Sequence, residues 1–443
     1  MFEVFRNAWK IADLRKKLLY TLFIVIIFRL GASIFVPFLD SGEIAKVLGI
    51  ARDSASGNDG NLFSYWDAMT GGSLSQGTLF AMSITPYINA SIIVQLLTVA
   101  IKPLERLAKE GDEGRKKLNK INKFVALGLA IFQAVAFYIT LNNGGVVKEY
   151  GGFGDVLAAI TIVACFVAGA SLIIWLGDQI SEKGIGNGIS IILFAGIVSR
   201  IPDDIYGLIR NQMLGEGIAN KILVPIILLI YIAMIALVVL MTNAERRIPV
   251  QYAKRVVGRK MYGGQSTYIP IKVAMSGVMP IIFAMSIMSL PSTICYFFNI
   301  TGDGKSGHTF WEGFVRLFST SSWLYAVLYF ILIIGFNYFY VAIQYNPIEI
   351  ANNLKKNNGA IPGYRPGQPT ADFIRNSLGK ITLIGAIFLG FIAIFPIIFS
   401  NVSGIRGLSL GGTTVLIIVG VALETMRTLE SQMMMRHHKG FLE

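Results

Sequence analysis

Charged residues are scarce in this sequence. They make up 15% of its 443 residues, whereas soluble domains carry about 25%. Cysteine and histidine are rarer still, with two and three copies. Cys165 and Cys295 lie in apolar stretches without the spacing of a disulfide framework or a metal site, and we interpret them as packing residues. No histidine and no acidic pair on one helix face falls within an apolar stretch, so we expect neither an embedded hydrolase nor a metal or cofactor.

Long apolar runs are abundant instead. Hydrophobic residues make up 54% of the chain, and its mean hydropathy is +0.61. A run of about 18 or more mostly apolar residues can span a membrane, and it must be helical because unpaired backbone groups in lipid cost several kcal/mol. The candidate segments are 18–39, 76–101, 124–142, 155–176, 186–201, 221–242, 271–298, 322–345, 378–400 and 413–429. The sequence predicts an all-α polytopic membrane protein, in which the short fifth segment has the least certain bounds.

Basic residues are distributed unevenly over the loops. With ten spans, both termini lie on one side of the membrane, together with the loops that hold most of the 39 lysines and arginines. The positive-inside rule assigns this side to the cytoplasm. Two of its loops, 243–270 and 346–377, are far longer than the roughly two to eight residues that link bundle helices. They are either topology determinants alone or docking surfaces for an acidic partner, such as ribosomal RNA or an acidic protein face.

Five stretches carry a family resemblance. The first is "ITPYINASIIVQLLTV" at 84–99 with "KEGDEGRKK" after it, followed in order by "SEKGIGNGISIILFAGIV", "ERRIPVQYAKR", "NNGAIPGYRPGQPT" and "GGTTVLIIVGV". Together they resemble the SecY family, the channel subunit of the protein-conducting translocon, over essentially the whole chain. The resemblance implies ten transmembrane helices in two inverted five-helix halves, at 1–201 and 221–443, with an external hinge at 202–220. The glycine-rich "GIGNG" follows no predicted strand, so a phosphate-binding loop is disfavoured.

The stretch "NLFSYWDAMTGGSLSQGTLF" at 61–80 begins with an apolar part too short to cross a bilayer. The resemblance implies that its first part, about 61–75, is a re-entrant plug that folds back from outside into the channel mouth. Its apolar body would be Leu62, Phe63, Tyr65, Trp66 and Met69, with Gly71 and Gly72 as flexible residues that let it swing away. The alternative is an interfacial segment with its aromatic side chains at headgroup level.

Aliphatic residues recur at helical spacing near the second and fifth segments. Ile84 and Ile88 are four residues apart, as are Ile189 and Leu193, so each pair shares a helix face. From spacing alone, ordinary helix packing is the better explanation of these residues. The resemblance implies that these four residues form a pore ring with Ile282 and Ile417. A narrow aliphatic ring offers no fixed hydrogen-bonding partner and blocks ions by dewetting.

Polar residues inside apolar segments are few. Asn89 lies in the second segment, and such residues usually face the bundle interior and find a partner. The resemblance implies a seam between the second and third spans on one side and the seventh and eighth on the other, which opens sideways to lipid. Its candidate residues are Thr85, Asn89, Gln133 and Leu290, although simple helix packing explains Gln133 equally well. Arg29 costs about 2.5–3.5 kcal/mol near mid-bilayer and is expected to snorkel or to pair.

The two long cytoplasmic loops contain the predicted docking residues. Proline and glycine in "AIPGYRPGQPT" favour turns and present Arg365 beside Tyr364 at a tip. In the family, the matching arginine is needed to engage the motor ATPase or the ribosome. The other basic projection contains Arg246, Arg247, Lys254 and Arg255. We expect both loops to form one composite platform.

The resemblance also implies a function, partners and a location. The expected function is translocation of unfolded secretory polypeptides and lateral release of membrane helices. The expected partners are SecE, SecG, the SecA motor, the ribosome, signal sequences, nascent chains and membrane lipids. The expected location is a bacterial plasma membrane with both termini in the cytoplasm. The alternative, a small-solute secondary transporter, would need charged residues at the midplane, and the predicted spans hold almost none besides Arg29.

Overall fold

Helices dominate the chain. The computed structural model describes residues 2–48, 66–67, 69–148, 151–213, 218–252, 255–257, 260–262, 266–297, 322–403 and 412–439. The helices of these ranges are α1 (Phe2–Lys10), α2 (Ala12–Gly31), α3 (Ser41–Val47), α4 (Thr85–Ala100), α5 (Lys102–Lys109), α6 (Asp112–Asn143), α7 (Phe153–Lys183), α8 (Gly188–Met213), α9 (Ile218–Asn243), α10 (Met279–Phe297), α11 (Trp323–Gln344), α12 (Pro347–Lys356), α13 (Gln368–Ser403) and α14 (Gly412–Lys439).

Each of the ten apolar segments overlaps one long helix, in the same order along the chain. These helices are α2, α4, α6, α7, α8, α9, α10, α11, α13 and α14. By length and hydropathy, five helical stretches of the described chain qualify as membrane spans, and there are six if α4 and α5, bent by 107°, are counted as one span. The polytopic helical architecture is therefore confirmed, and the number of ten spans stays a prediction.

Two predicted segments begin as non-helical structure. In 76–101 the helix starts only at Thr85, because Gly77 and Ser83 adopt positive φ angles that break helical geometry before it. In 271–298 the first two residues end a strand, and the helix starts at Met279 after a run of turns. Hydropathy detects the apolar character of such stretches and does not detect the backbone geometry.

The predicted hinge at 202–220 contains more helix than expected. Helix α8 continues to Met213 with Pro202 inside it, and α9 starts at Ile218. The short fifth segment is thus the apolar part of a 26-residue helix whose second part is polar. Its role as a hinge between two halves stays a prediction.

The two long basic loops fold into one small module. Strand β1 (Glu245–Tyr252) pairs antiparallel with β4 (Ser266–Lys272) on one side and with β5 (Gly359–Ala360) on the other. Between β1 and β4, strands β2 (Arg255–Val257) and β3 (Lys260–Tyr262) form a separate hairpin. The module has its own core, formed by Ile248, Val250, Ile271, Leu354, Ile361, Ile374, Leu378 and Ile381. Loop 243–270 and loop 346–377 therefore lie together, as predicted.

The apolar helices pack into two main cores. One surrounds α2, α4, α7 and α8 and includes Ile282 of α10 and Ile417 of α14. The other joins α9, α10, α11, α13 and α14. The outward faces stay apolar, with Leu229, Ile232 and Leu240 of α9 each more than 65% exposed. Such faces fit lipid rather than water.

Candidate functional site

The six predicted ring residues lie in a single cluster. Ile84, Leu193, Ile282 and Ile417 are buried members of the first core, and Ile88 and Ile189 pack against it. They come from the start of α4, from α8, from α10 and from α14. Four separate helices from both predicted halves thus direct aliphatic side chains to one place. We call these six residues the aliphatic ring.

Four of the six side chains of the aliphatic ring are buried. Ile84 and Ile417 are each 1% exposed, and Leu193 and Ile282 are 6% and 7% exposed. All six side chains lack polar atoms, so the ring offers water and ions no hydrogen-bonding partner.

The glycine-rich turn "GIGNG" positions the ring residues of α8. A Cβ at Gly188 would lie 1.9 Å from the carbonyl oxygen of Gly177 on α7, so only glycine permits this approach. The Ser181 hydroxyl accepts a hydrogen bond from the Gly188 amide at 2.9 Å, and the Asn187 side chain accepts one from the Ile189 amide at 3.2 Å. These contacts hold the first turn of α8, and with it Ile189, against α7. The motif is a packing element, which the sequence analysis did not identify.

Part of the predicted plug lies beside the ring. Leu62, Phe63 and Tyr65 are outside the described residues. Met69 is 9% exposed and belongs to the same core cluster as the ring. Trp66 packs on a separate cluster that contains Ile44, Leu74 and Phe137. Of the predicted apolar body, the two described side chains therefore contact two different cores.

The two plug glycines have positive φ angles, +69° at Gly71 and +86° at Gly72. A Cβ at Gly71 would lie 2.7 Å from the carbonyl oxygen of Gly196 on α8. A Cβ at Gly196 would in turn lie 2.9 Å from the carbonyl oxygen of Met69. Gly71 and Gly196 thus permit close backbone contact between the predicted plug and α8, and the flexible role of Gly71 and Gly72 stays a prediction.

An ion pair fixes the same segment, and sequence reasoning missed it. The Asp67 carboxylate is fully buried and pairs with the Arg200 guanidinium of α8. It also accepts a hydrogen bond from the Ser75 amide at 2.7 Å. Arg29 donates to the Gly71 carbonyl oxygen at 3.4 Å, so it does pair, as one of its two expected behaviours. The only signal in the sequence was a single acidic residue within "YWDAM".

At the predicted seam, the helix of the seventh apolar segment contacts those of the second and third. Helix α10 contacts both α4 and α6, and α4 packs on α6 and α7 through Ala90, Ala126 and Ile174. Thr85, Asn89 and Gln133 are all partly buried. Among the side chains that the structure describes, Asn89 and Gln133 form no hydrogen bond, and the Leu290 side chain is outside that set. The polar cluster across the seam stays a prediction.

A buried polar network anchors the turn that precedes α10. The Asn337 side chain of α11 bonds to the Ser276 hydroxyl and donates to the Thr382 carbonyl oxygen of α13 at 3.1 Å. Asn337 is 2% exposed. Because buried polar groups must be paired, this network ties the entry of α10 to its own half.

The basic module presents its arginines at the surface. Arg246 and Arg247 are exposed on β1, and Arg247 donates to Glu245 at 2.7 Å and stacks 4.8 Å from the Tyr268 ring. The bond to Glu245 and the nearby Tyr268 raise the pKa of Arg247, which stays charged. Lys254 lies outside the described residues, and the Arg255 side chain is not described.

Arg365 is held at a turn by its backbone. Gly363 and Gly367 on either side have φ angles of +87° and +112°, and the Thr370 hydroxyl donates to the Arg365 carbonyl oxygen at 2.8 Å. The Tyr364 ring packs 4.3 Å from the Phe373 ring. The Arg365 side chain remains exposed. The loop is therefore ordered by turns, while its guanidinium is available to a partner.

Sequence comparisons assign the chain to a family. The SecY family model matches residues 78–426. The chain is 40% identical to the protein translocase subunit SecY of Mycobacterium bovis over 454 residues. It is 41% identical to the protein of the same name from Streptomyces coelicolor over 449 residues. Both alignments cover 100% of each chain.

Solved structures share the fold at lower identity. The chain matches a protein-conducting channel with a TM-score of 0.64 and 22% identity, over 94% of this chain and 92% of the other. It matches a SecY structure in which the plug domain stabilises the closed state and maintains a membrane seal, with a TM-score of 0.63 and 21% identity over the same shares of both chains. It also matches Sec61 from a canine ribosome–channel complex, with a TM-score of 0.61, 21% identity and the same coverage. These matches lend no support to a small-solute transporter. By sequence over its full length and by fold, this chain belongs to the SecY family of protein translocase subunits.

Proposed function

We propose that this chain forms the pore of a protein-conducting channel, which passes unfolded secretory polypeptides and releases apolar segments sideways into lipid. The observation that carries the proposal is the meeting of six aliphatic side chains from four helices in one cluster. Membership of a translocase family and the fold of protein-conducting channels support it.

The aliphatic ring would serve both states of the channel. A polypeptide in transit presents side chains of every kind, and a ring without hydrogen-bonding groups binds none of them strongly. When no chain is present, the ring side chains would pack on one another and exclude water. Ions then meet an apolar constriction, which they cross poorly because dehydration is costly.

The segment 61–75 would be the plug that seals this constriction from outside. Met69 packs on the ring cluster, and the backbone of the segment lies against α8. In the related SecY structure, the plug domain stabilises the closed state and maintains a membrane seal. The same role suits this segment, because its contacts with the ring and α8 would be lost on opening.

The seam between α4 and α6 on one side and α10 and α11 on the other would be the lateral gate. Across the seam, α10 contacts α4 and α6, and α10 is anchored to its own half through the Ser276–Asn337 network. Interhelical hydrogen bonds of about 0.6–2 kcal/mol each, from residues such as Thr85 and Asn89, could close the seam and still yield to an arriving apolar helix.

The basic module would dock the partners that drive transport. Its exposed Arg246, Arg247 and Arg365 suit acidic surfaces of a motor ATPase such as SecA or the RNA of a ribosome. A related channel was solved in a ribosome complex. We further propose small SecE and SecG subunits on the apolar outer faces, a bacterial plasma-membrane location and cytoplasmic termini, which the basic loops favour.

The proposal is tested by cross-linking from inside the ring. A photoreactive residue at Ile88 should cross-link to a stalled secretory chain, because Ile88 packs on the ring cluster. The matched control is Ile93 on the same helix, which is 40% exposed on the outer face. Equal cross-linking of the polypeptide from both positions would contradict the channel assignment.

A further inference from the structure

Asp67 has two roles in the described part of the plug. One carboxylate oxygen accepts the Ser75 amide at 2.7 Å, which closes the turn that contains Gly71 and Gly72. The other oxygen pairs with the Arg200 guanidinium. Asp67 is 0% exposed and Arg200 is 15% exposed. A carboxylate buried to this degree is unfavourable without its cation, so the pair holds the plug turn only while Arg200 stays in place.

Arg200 lies on the helix that carries two ring residues. Along α8, Ile189, Leu193 and Arg200 are separated by four and then seven residues. Because an α-helix has about 3.6 residues per turn, these steps are close to one and two full turns, and the three residues lie on one side of the helix. Between them, Gly196 meets the plug backbone at Met69 and Gly71. One face of α8 thus contacts both the ring and the plug.

We propose that Asp67 and Arg200 form a latch, which holds the plug closed until α8 moves with the ring. A polypeptide that enters the ring must displace Ile189 and Leu193, and the same helix carries Arg200 away from Asp67. The Gly71 carbonyl, which Arg29 of α2 approaches at 3.4 Å, is a second attachment of the same turn. This inference rests on the proposed function of 61–75 as a plug.

The latch differs from an ordinary surface ion pair. Exposed pairs contribute little because water screens both charges. Glu43 and Lys46 of α3 form such a pair, at 2.8 Å with side chains 52% and 64% exposed. Glu43→Gln is therefore a matched control, since it removes one carboxylate charge from the same segment between α2 and α4.

The test measures ion leak and plug exposure in idle channels of the assembled complex in lipid vesicles. Asp67→Asn keeps the side-chain size and leaves Arg200 facing a neutral group. It should raise the idle potassium chloride conductance about 10-fold or more, since loss of one member of a buried pair strongly favours the separated state. Arg200→Lys keeps the charge and should raise the conductance less than about 3-fold, and Glu43→Gln should leave it unchanged.

A second readout reports the plug position. In a background without Cys165 and Cys295, the thiol of Met69→Cys should react slowly with a water-soluble maleimide, because Met69 is 9% exposed. Asp67→Asn should accelerate this reaction about 10-fold. If Asp67→Asn does not accumulate in the membrane, the idle conductance and the maleimide reaction are measured on Arg200→Gln instead, which removes the charge of the pair on the α8 side.

Two outcomes separate the latch from the plug. If deletion of 63–71 raises the leak while Asp67→Asn and Arg200→Gln behave as the parent protein in both readouts, the latch is wrong and the plug stands. If the deletion also leaves the idle conductance unchanged, the proposed plug itself is wrong.

Discussion

The aliphatic ring and the basic module are both assembled from distant parts of the chain, but they use opposite chemistry. The ring places apolar side chains from four helices in a buried cluster. There, the side-chain volumes and the distance between the helix backbones decide how well the residues pack. The module pairs β1 with β4 and β5 over a small core and leaves its arginines exposed. The ring should therefore tolerate one aliphatic residue for another, whereas the module should depend on individual charges at particular positions.

The largest effect is expected at the module. Arg365→Glu should abolish export while the protein still folds and inserts, because the side chain is exposed and the turn is held by backbone contacts. Export is measured as the fraction of a secretory precursor that becomes protease-protected.

Lys356→Glu is the control for Arg365→Glu, since it makes the same charge change at an exposed position of the same module. It should retain most of the export. Equal loss in both variants would show that net charge matters rather than the position of Arg365.

A smaller effect is expected where the helices that carry the ring approach each other. Gly188→Ala would place a Cβ 1.9 Å from the Gly177 carbonyl oxygen and force α8 away from α7. We expect a destabilisation of about 1–3 kcal/mol, the usual range for overpacking, measured as a lower midpoint of thermal unfolding in detergent.

Gly335→Ala on α11 is the matched control for this substitution. The space at Gly335 is open, with nothing within 4 Å of an added Cβ, so the midpoint should stay the same or rise slightly. A similar fall of the unfolding midpoint in both variants would show that the close approach of α8 and α7 is not the cause of the destabilisation.

The smallest effect is expected within the ring itself. Ile84→Leu conserves volume and apolar character, so idle conductance and export should both stay within about 2-fold of the parent protein. Ile84→Asn adds a hydrogen-bonding group to the constriction and should raise the idle conductance by a few-fold, because water then enters it more readily. Identical conductance for both variants would contradict gating by an apolar ring.

Hydropathy predicted where the long helices lie, because apolar length is the physical requirement for crossing lipid. It did not predict that α4 starts at Thr85 or that Lys272 ends a strand, since these bounds depend on positive φ angles and strand pairing. Spacing placed Ile84 and Ile88 on one helix face, and only the family resemblance joined them with Ile282 and Ile417.

The ion pair of the predicted plug shows why the remaining contacts could not be predicted from the sequence. Asp67 and Arg200 are 133 residues apart in the chain, and no local pattern links them. The same holds for Gly188, whose contact with Gly177 depends on how two helices pack. Such contacts arise from tertiary structure, so a single sequence without a structure indicates the residue types and not their partners.

The central claim is that a translocating polypeptide passes through the aliphatic ring. It is tested most directly by placing the photoreactive residue in turn at each of the six ring positions and stalling one secretory chain in the channel. We predict that all six positions cross-link to that chain, and that Ile93 and Leu229 on the outer faces cross-link to lipid instead. Cross-linking of the chain from the outer faces but not from the ring would contradict the account.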